Sequence, residues 1–262
     1  MLQSNDFLWK RTPIPLELKK DEVHLWSVSV AAPPSQVKKL LGGLSSDEIS
    51  QAKRFHFQQD RQRFMWRRAL LRLILGRYLG VDPSGLAFRY GPYGKPYLLN
   101  PPDRIRLNFN LSHSDGLALV AITRDREVGV DLEHVHRDFP WEDLADRFFS
   151  RKETEALHAL PKAVQCETFF RRWTAKEAYL KATGMGISIP MDQIETFPIP
   201  DCKRNVFGVR GPFQESKDWT LAELTPVTGY VAALVVQGNS WHPACWHYSE
   251  NGLQTHHFCA VS

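Results

Sequence analysis

Cysteine is scarce in this chain. Its four copies, Cys166, Cys202, Cys245 and Cys259, are too few and too scattered for a disulfide framework, which favours a reducing compartment. Long apolar runs are missing as well. No stretch approaches the roughly 20 residues of a membrane span, and the N-terminus has no charged segment leading into an apolar one. A cytoplasmic location without a membrane partner is therefore expected. Neither sign of charge dominates: 33 Lys and Arg face 29 Asp and Glu, a formal net charge of +4. Such mild basicity suits an acidic partner or a phosphorylated ligand and does not demand nucleic acid. No aromatic stacking motif accompanies the arginines between residues 60 and 78, which argues against a nucleic-acid surface there. A G-x-S-x-G elbow is absent too, and Ser112 and His113, as neighbours on a strand, point to opposite faces, so a serine hydrolase is set aside. In the tail, Cys245, His247, His256, His257 and Cys259 fit no closed zinc spacing, and 241–262 reads as an aromatic tail packed on the surface or partly disordered.

What is present is an ordinary globular composition, 43% hydrophobic and 24% charged over 262 residues, enough for a sizeable core in one domain or two. His24 to Val30 alternates like a strand, with Trp26, Val28 and Val30 on one face. Ser45-x-x-Glu48 is a capping-box pattern. Beyond it, Phe64, Leu71, Ile74, Leu75 and Tyr78 form a stripe that predicts a helix from about Asp60 to Tyr78, ended by Gly80. Arg61, Arg63, Arg67, Arg68 and Arg72 fall on its other faces. Arg89 to Pro96 reads as a turn that presents Lys95 between a glycine and a proline. Ile105 to Ser112 alternates cleanly, and Leu117 to Ile122 is apolar on both faces, as a central strand would be.

The most informative stretch is Val128-Gly129-Val130-Asp131-Leu132-Glu133. At the two-residue period of a strand, Val128, Val130 and Leu132 share one face and Gly129, Asp131 and Glu133 the other. Two carboxylates thus point the same way, beside a glycine that leaves the backbone open to a ligand. Like charges that close repel unless a cation lies between them, and a hard ion such as Mg2+, which binds one or two carboxylates along with water and phosphates, would resolve the conflict. An edge strand with a solvated acidic face would carry the same pattern.

A second constellation lies on the helix expected from Cys166 to Leu180. Its apolar stripe of Cys166, Phe169, Phe170, Trp173 and Leu180 also contains Glu177, a costly place for a carboxylate unless it is paired or metal-bound. Either Glu177 pairs with Lys181 one turn further along, or it supplies a third hard oxygen beside Asp131 and Glu133.

The second half repeats the order of the first. Ser150-x-x-Glu153 answers Ser45-x-x-Glu48, a long helix with Trp173 answers the one with Trp66, and Gly229 to Val236 mirrors Gly116 to Ile122. These offsets predict an α+β fold, a pseudo-twofold duplication of two similar α+β subdomains, residues 1–123 and 124–262, with the active site in the cleft between them. Unrelated strand orders in the two halves would refute it.

Gly129-Val-Asp131-Leu-Glu133, Phe148-Phe-Ser-x-x-Glu153 and Trp173-Thr-Ala-Lys176-Glu177-Ala-Tyr-Leu-Lys181 together resemble the signature of the 4′-phosphopantetheinyl transferases, specifically the monomeric surfactin-synthetase-activating type. Gly94-Lys95-Pro96 and Phe109-Asn-Leu-Ser112-His113-Ser114 look like that family's two earlier motifs, and the likeness runs from about Leu44 to Pro190. The resemblance implies a monomer that uses Mg2+ to transfer the phosphopantetheine arm of coenzyme A to a serine of an apo carrier protein, releasing 3′,5′-ADP, and charge complementarity favours an acidic carrier. By position, Asp131, Glu133 and Glu177 would hold the metal. Ser112, His113 and Lys181 would contact the phosphates, Lys95 would lie near the nucleotide and Arg63 would meet the 3′-phosphate. Lys176 is counted with the coenzyme A contacts by the same match. Glu177 is the candidate base, directly or through a water, with Asp131 and Lys181 completing the catalytic set. Glu153 falls on a family acidic position. Glu48 and Gln51 stand where some relatives carry basic residues, which shifts 3′-phosphate recognition toward Lys53, Arg54 and Arg63.

Overall fold

The computed structural model describes residues 8–11, 16–29, 42–99, 106–198, 206–211, 218–249 and 252–257. After β1 (Leu8–Arg11), the first half runs β2 (Glu22–Ser29), α1 (Ser46–Ala52), α2 (Gln58–Leu79), β3 (Ala87–Tyr90), β4 (Pro96–Leu99), β5 (Leu107–Ser114) and β6 (Leu117–Arg124). A short turn leads to the second half: β7 (Val128–His134), α3 (Trp141–Phe148), α4 (Arg151–His158), α5 (Lys162–Thr183), β8 (Glu195–Pro198), β9 (Val206–Arg210), β10 (Trp219–Leu224) and β11 (Tyr230–Gln237). Finally, β12 (His242–Ser249) and β13 (Gly252–His257) return to the first half.

The two halves share a strand order. One sheet reads β7-β11-β10-β9-β8, and the other contains β2-β6-β5, with β3 and β4 as a separate antiparallel ladder. In each half the leading strand pairs antiparallel with the last one. Both long helices span 22 residues and stop at a glycine in the left-handed region, Gly80 at φ 64° and Gly184 at φ 69°, where a side chain would be strained. The paired strands align the halves residue by residue. Trp26 lies opposite Val120 and Asp131 opposite Ala233, each four residues past the turn glycine, Gly116 or Gly229. On the same register Val28 corresponds to Glu133. The positions that carry carboxylates in the second half are therefore apolar core in the first, packed with Leu70, Leu71, Ile74 and Leu75 of α2.

Alternation decides the layers. Val23 and Leu25 of β2, Leu117 and Leu119 of β6, and Val128, Val130 and Leu132 of β7 meet Leu234 and Val236 of β11 in a core between the sheets. Trp26 and Val28 face α2, while Ala233 and Val235 face α5. Ser150 and Glu153 close the capping box of α4, and Glu48 Oε2 accepts from the Ser45 amide at 3.1 Å at the start of α1. Each box glutamate is then tied to the long helix, Glu48 to Arg68 at 2.8 Å and Arg72 at 2.7 Å, Glu153 to Lys176 at 2.9 Å.

Two expectations are corrected here. Arg72 is not on an open face of α2; it is buried in the pair with Glu48 and donates to the carbonyls of Pro83 and Leu86. The tail is not a surface appendage over its described length, because β12 inserts parallel to β2 and buries Cys245 and Trp246. Trp246 stacks on Trp26 with ring centroids 5.3 Å apart. The histidines and Pro243 interrupt the apolar alternation that would have betrayed this strand. Cys202, Cys259 and residues 258–262 lie outside the described residues.

Candidate active site

The site is built on the seam where β5 runs alongside β7. The polar face of β5 satisfies the open edge of β7: Val130 N donates to Asn110 Oδ1 at 3.0 Å and His134 N donates to Ser114 Oγ at 3.1 Å. Side chains follow the same seam. Ser112 Oγ donates to Asp131 Oδ1 at 2.8 Å, and Ser114 Oγ donates to Glu133 Oε2 at 2.9 Å.

Helix α5 covers the Gly129, Asp131 and Glu133 face of β7. Gly129 is not open to a ligand, as its place beside the carboxylates implied; a Cβ there would stand 2.1 Å from the Ala178 carbonyl oxygen and 2.3 Å from the Ala182 nitrogen. That close approach carries Lys181 to Asp131. Its ammonium donates to Asp131 Oδ1 at 2.5 Å and to Ser112 Oγ at 2.9 Å, so the intrahelical pairing with Glu177 is not the one adopted. Asp131 is almost completely enclosed, and its second oxygen, Oδ2, is buried without a partner. An orphaned carboxylate oxygen in such a place asks for a cation. Burial pushes the Glu133 and Glu177 carboxyls above their ordinary range, and the charge of Asp131 pushes both further. As a set, the three groups do not yet converge on one point. Among the described residues the donor trio that closes to within 4.8 Å is Asp115, His134 and His136, not these carboxylates.

Cations line the other side. Burial lowers the His113 pKa to about 4, helped by Arg67, Lys181 and Arg63, so the ring is neutral at physiological pH. Burial also lowers Arg67, with Arg63 adding repulsion. Asp60 offsets this only as the smallest influence on Arg67, and positive groups crowded in this way favour an anion. Against α5 opens a pocket of about 240 Å³, lined by Tyr93, Lys95, Leu111, Glu177, Lys181 and Gly184.

Not every expected residue reaches this cleft. Lys176 does not: one position from Glu177 on the helix, it points to the opposite side, where its ammonium donates to Glu153 and to the carbonyls of Met191 and Ile194. Glu153 is thereby a capping and packing residue. Lys95 lines the pocket with its stem only, since its ammonium is buried against the Ala182 carbonyl at 2.7 Å, Glu127 Oε2 at 3.1 Å and the Val128 carbonyl at 3.3 Å. Conversely, Arg67, Asn110 and Ser114, named from the sequence only within their runs, act on candidate residues or their strand: Arg67 on His113, Asn110 on the Val130 amide and Ser114 on Glu133. Their signals were present: Arg67 is one turn from Arg63, and Asn110 and Ser114 share the strand face of Ser112.

Residues 31–124 match the model of the 4′-phosphopantetheinyl transferase N-terminal region, and residues 127–235 match that of the 4′-phosphopantetheinyl transferase superfamily. The chain is 44% identical over 240 residues to the 4′-phosphopantetheinyl transferase HetI of a Nostoc species, covering 92% of this chain and 98% of that protein. It is 29% identical over 170 residues to the 4′-phosphopantetheinyl transferase Sfp of Bacillus subtilis, covering 64% of this chain and 73% of that one. With both halves matched and one relative aligned over nearly its full length, the chain belongs to the 4′-phosphopantetheinyl transferase superfamily, a family of transferases.

Proposed function

We propose that this transferase moves the 4′-phosphopantetheine group of coenzyme A to a serine hydroxyl of an apo acyl, polyketide or peptidyl carrier protein, with Mg2+ as its metal and 3′,5′-ADP as the leaving product. The observation that carries the reading is Asp131, with a buried and unpartnered oxygen, whose charge raises both Glu133 and Glu177 and which is bonded to Lys181, while Lys181, Arg63 and Arg67 all act on His113.

Asp131, Glu133 and Glu177 would hold Mg2+, which when bound neutralises charge growing on the leaving oxygen of the pyrophosphate. The chain's own groups do the rest. Ser112 and Lys181 fix Asp131 by two short hydrogen bonds, and the Lys181 ammonium stands ready as a fixed positive charge for the phosphates. His113 donates a ring N–H to a phosphate oxygen, while Arg63, with Arg67 beside it, receives the 3′-phosphate. The nucleotide lies along the pocket wall formed by Tyr93 and the Lys95 stem. Glu177 has no hydrogen-bond partner among the described residues and a raised pKa, as suits a base that takes the carrier serine's proton directly or through one water. The serine oxygen bonds to the phosphorus on the pantetheine side as the bond to the ADP oxygen breaks.

Both walls of this cleft come from one chain, in subdomains 1–123 and 124–262 except that β12 and β13 join the sheet of the first, and a monomer is sufficient for it. A net charge of +4 favours an acidic carrier. No helix among the described residues is long and apolar enough to cross a membrane, and we place the enzyme in the cytoplasm on its scattered cysteines. The test incubates the purified protein with coenzyme A and apo carrier, with and without Mg2+. The carrier should gain the mass of one phosphopantetheine only with Mg2+, as 3′,5′-ADP appears. Release of nucleotide in the absence of carrier would instead mark a pyrophosphatase.

A further inference from the structure

We propose that Asp115, His134 and His136 form a second metal site that takes a borderline transition ion such as Zn2+, distinct from the carboxylates assigned to Mg2+. Each residue offers one donor atom, and the three atoms lie within 4.8 Å of one another. His134 Nδ1 is 3.1 Å from His136 Nε2 and 3.6 Å from Asp115 Oδ2. Ligands roughly 2.0–2.1 Å from a tetrahedral zinc stand roughly 3.3 Å apart, so both separations already approach the edges of that tetrahedron. The donor set selects the ion. Two imidazoles with one carboxylate suit Zn2+, Co2+ or Ni2+, whereas Mg2+ prefers an all-oxygen shell.

Three protein donors leave a fourth position open for water or an exogenous ligand. Sequence places the donors well. His134 and His136 are two apart at the end of β7 and Asp115 is in the β5–β6 turn, which the seam between β5 and β7 brings alongside. The frame is held independently of any ion. Asp115 has a positive φ of 36°, its carbonyl accepts from Tyr230 Oη at 2.5 Å, and the Tyr230 ring packs on His134 at 4.7 Å. The His134 amide is bonded to Ser114, the same serine that holds Glu133. An ion here therefore clasps the β5–β6 turn to the strand that bears the catalytic carboxylates.

The test is calorimetric titration of Zn2+ into the full-length, untagged protein in excess Mg2+, which keeps the hard site occupied. One equivalent should bind, His136→Gln and Asp115→Asn should each weaken binding by about tenfold or more, and Asp131→Asn should leave it unchanged. Both site variants should keep the Mg2+-dependent transfer rate and the circular dichroism of the parent, since their side chains lie outside the cleft. Absence of saturable Zn2+ binding, full binding in His136→Gln, or loss of binding in Asp131→Asn would each overturn the proposal.

Discussion

Replacing Gly129 by alanine adds one methyl group at the tightest contact in the second half. The new Cβ would meet the Ala178 carbonyl oxygen at 2.1 Å, the Ala182 nitrogen at 2.3 Å and the Ala182 Cα at 2.8 Å, all of them helix backbone. Backbone cannot swing aside as a side-chain tip can, so α5 must retreat from β7 by about 1 Å to restore even a close contact. Overpacking of this kind costs about 1–3 kcal/mol. The functional cost is larger, because the same displacement separates Lys181 from Asp131, now 2.5 Å apart, and a 1 Å misplacement in a reacting constellation costs about a hundredfold in rate. Urea unfolding followed by circular dichroism should show a lowered midpoint, and carrier modification followed by mass spectrometry should fall well beyond what the lost stability explains. Gly85→Ala, whose added Cβ meets nothing within 4 Å, is the control and should be neutral. A Gly129→Ala protein with the parent's midpoint and rate would refute the reasoning.

Lys176→Met should lower the unfolding free energy by about 2 kcal/mol, since it strands Glu153 and two carbonyls, yet leave the Mg2+ concentration for half-maximal transfer unchanged. A shift in that concentration would put Lys176 back at the site. Ser112→Ala should keep the fold but slow transfer about tenfold to a hundredfold, because Asp131 and Lys181 both lose the hydroxyl between them. Acid should weaken the fold in two steps. Burial holds His24 neutral, with a folded pKa of about 4 against 6.5 unfolded, so its contribution, at most about 3 kcal/mol, is complete above pH 6.5 and lost as pH falls toward 4. Burial raises Glu48 but its bonds to Arg72, the Ser45 amide and Arg68 outweigh that and hold it below its ordinary value, so its contribution persists above that value and disappears as pH falls below it. Urea midpoints measured at about pH 7, about pH 5 and about pH 3 should fall in that order, and His24→Gln should flatten the first step.

The parts of this protein legible from its residues are those governed by local periodicity. The alternation of Val128 to Glu133 placed three apolar side chains in the inter-sheet core and turned Gly129 and two carboxylates to the α5 side, and the glycine that ends each long helix was visible as such. The duplication was legible because the turn glycines and capping boxes recur at similar offsets. Long-range pairing was not. Nothing near Gly129 in sequence says that a helix about 50 residues later will press on it, and nothing at Lys176 tells which side of α5 will be buried by the loop at Met191 and Ile194. Lys181 likewise had an intrahelical partner at hand and chose one across the seam. The carboxylates of the site could be named from their strand and helix faces, whereas Asn110 and Ser114 gained their roles only when β5 came to lie beside β7.

The most direct measurement is transfer from coenzyme A to an apo carrier across a Mg2+ titration, comparing the parent with Asp131→Asn, which keeps the size of the side chain and removes its charge. The parent should load the carrier in proportion to bound Mg2+, and the folded variant should load none at any concentration. Loading by Asp131→Asn at a rate within tenfold of the parent would contradict a metal site built on Asp131, Glu133 and Glu177.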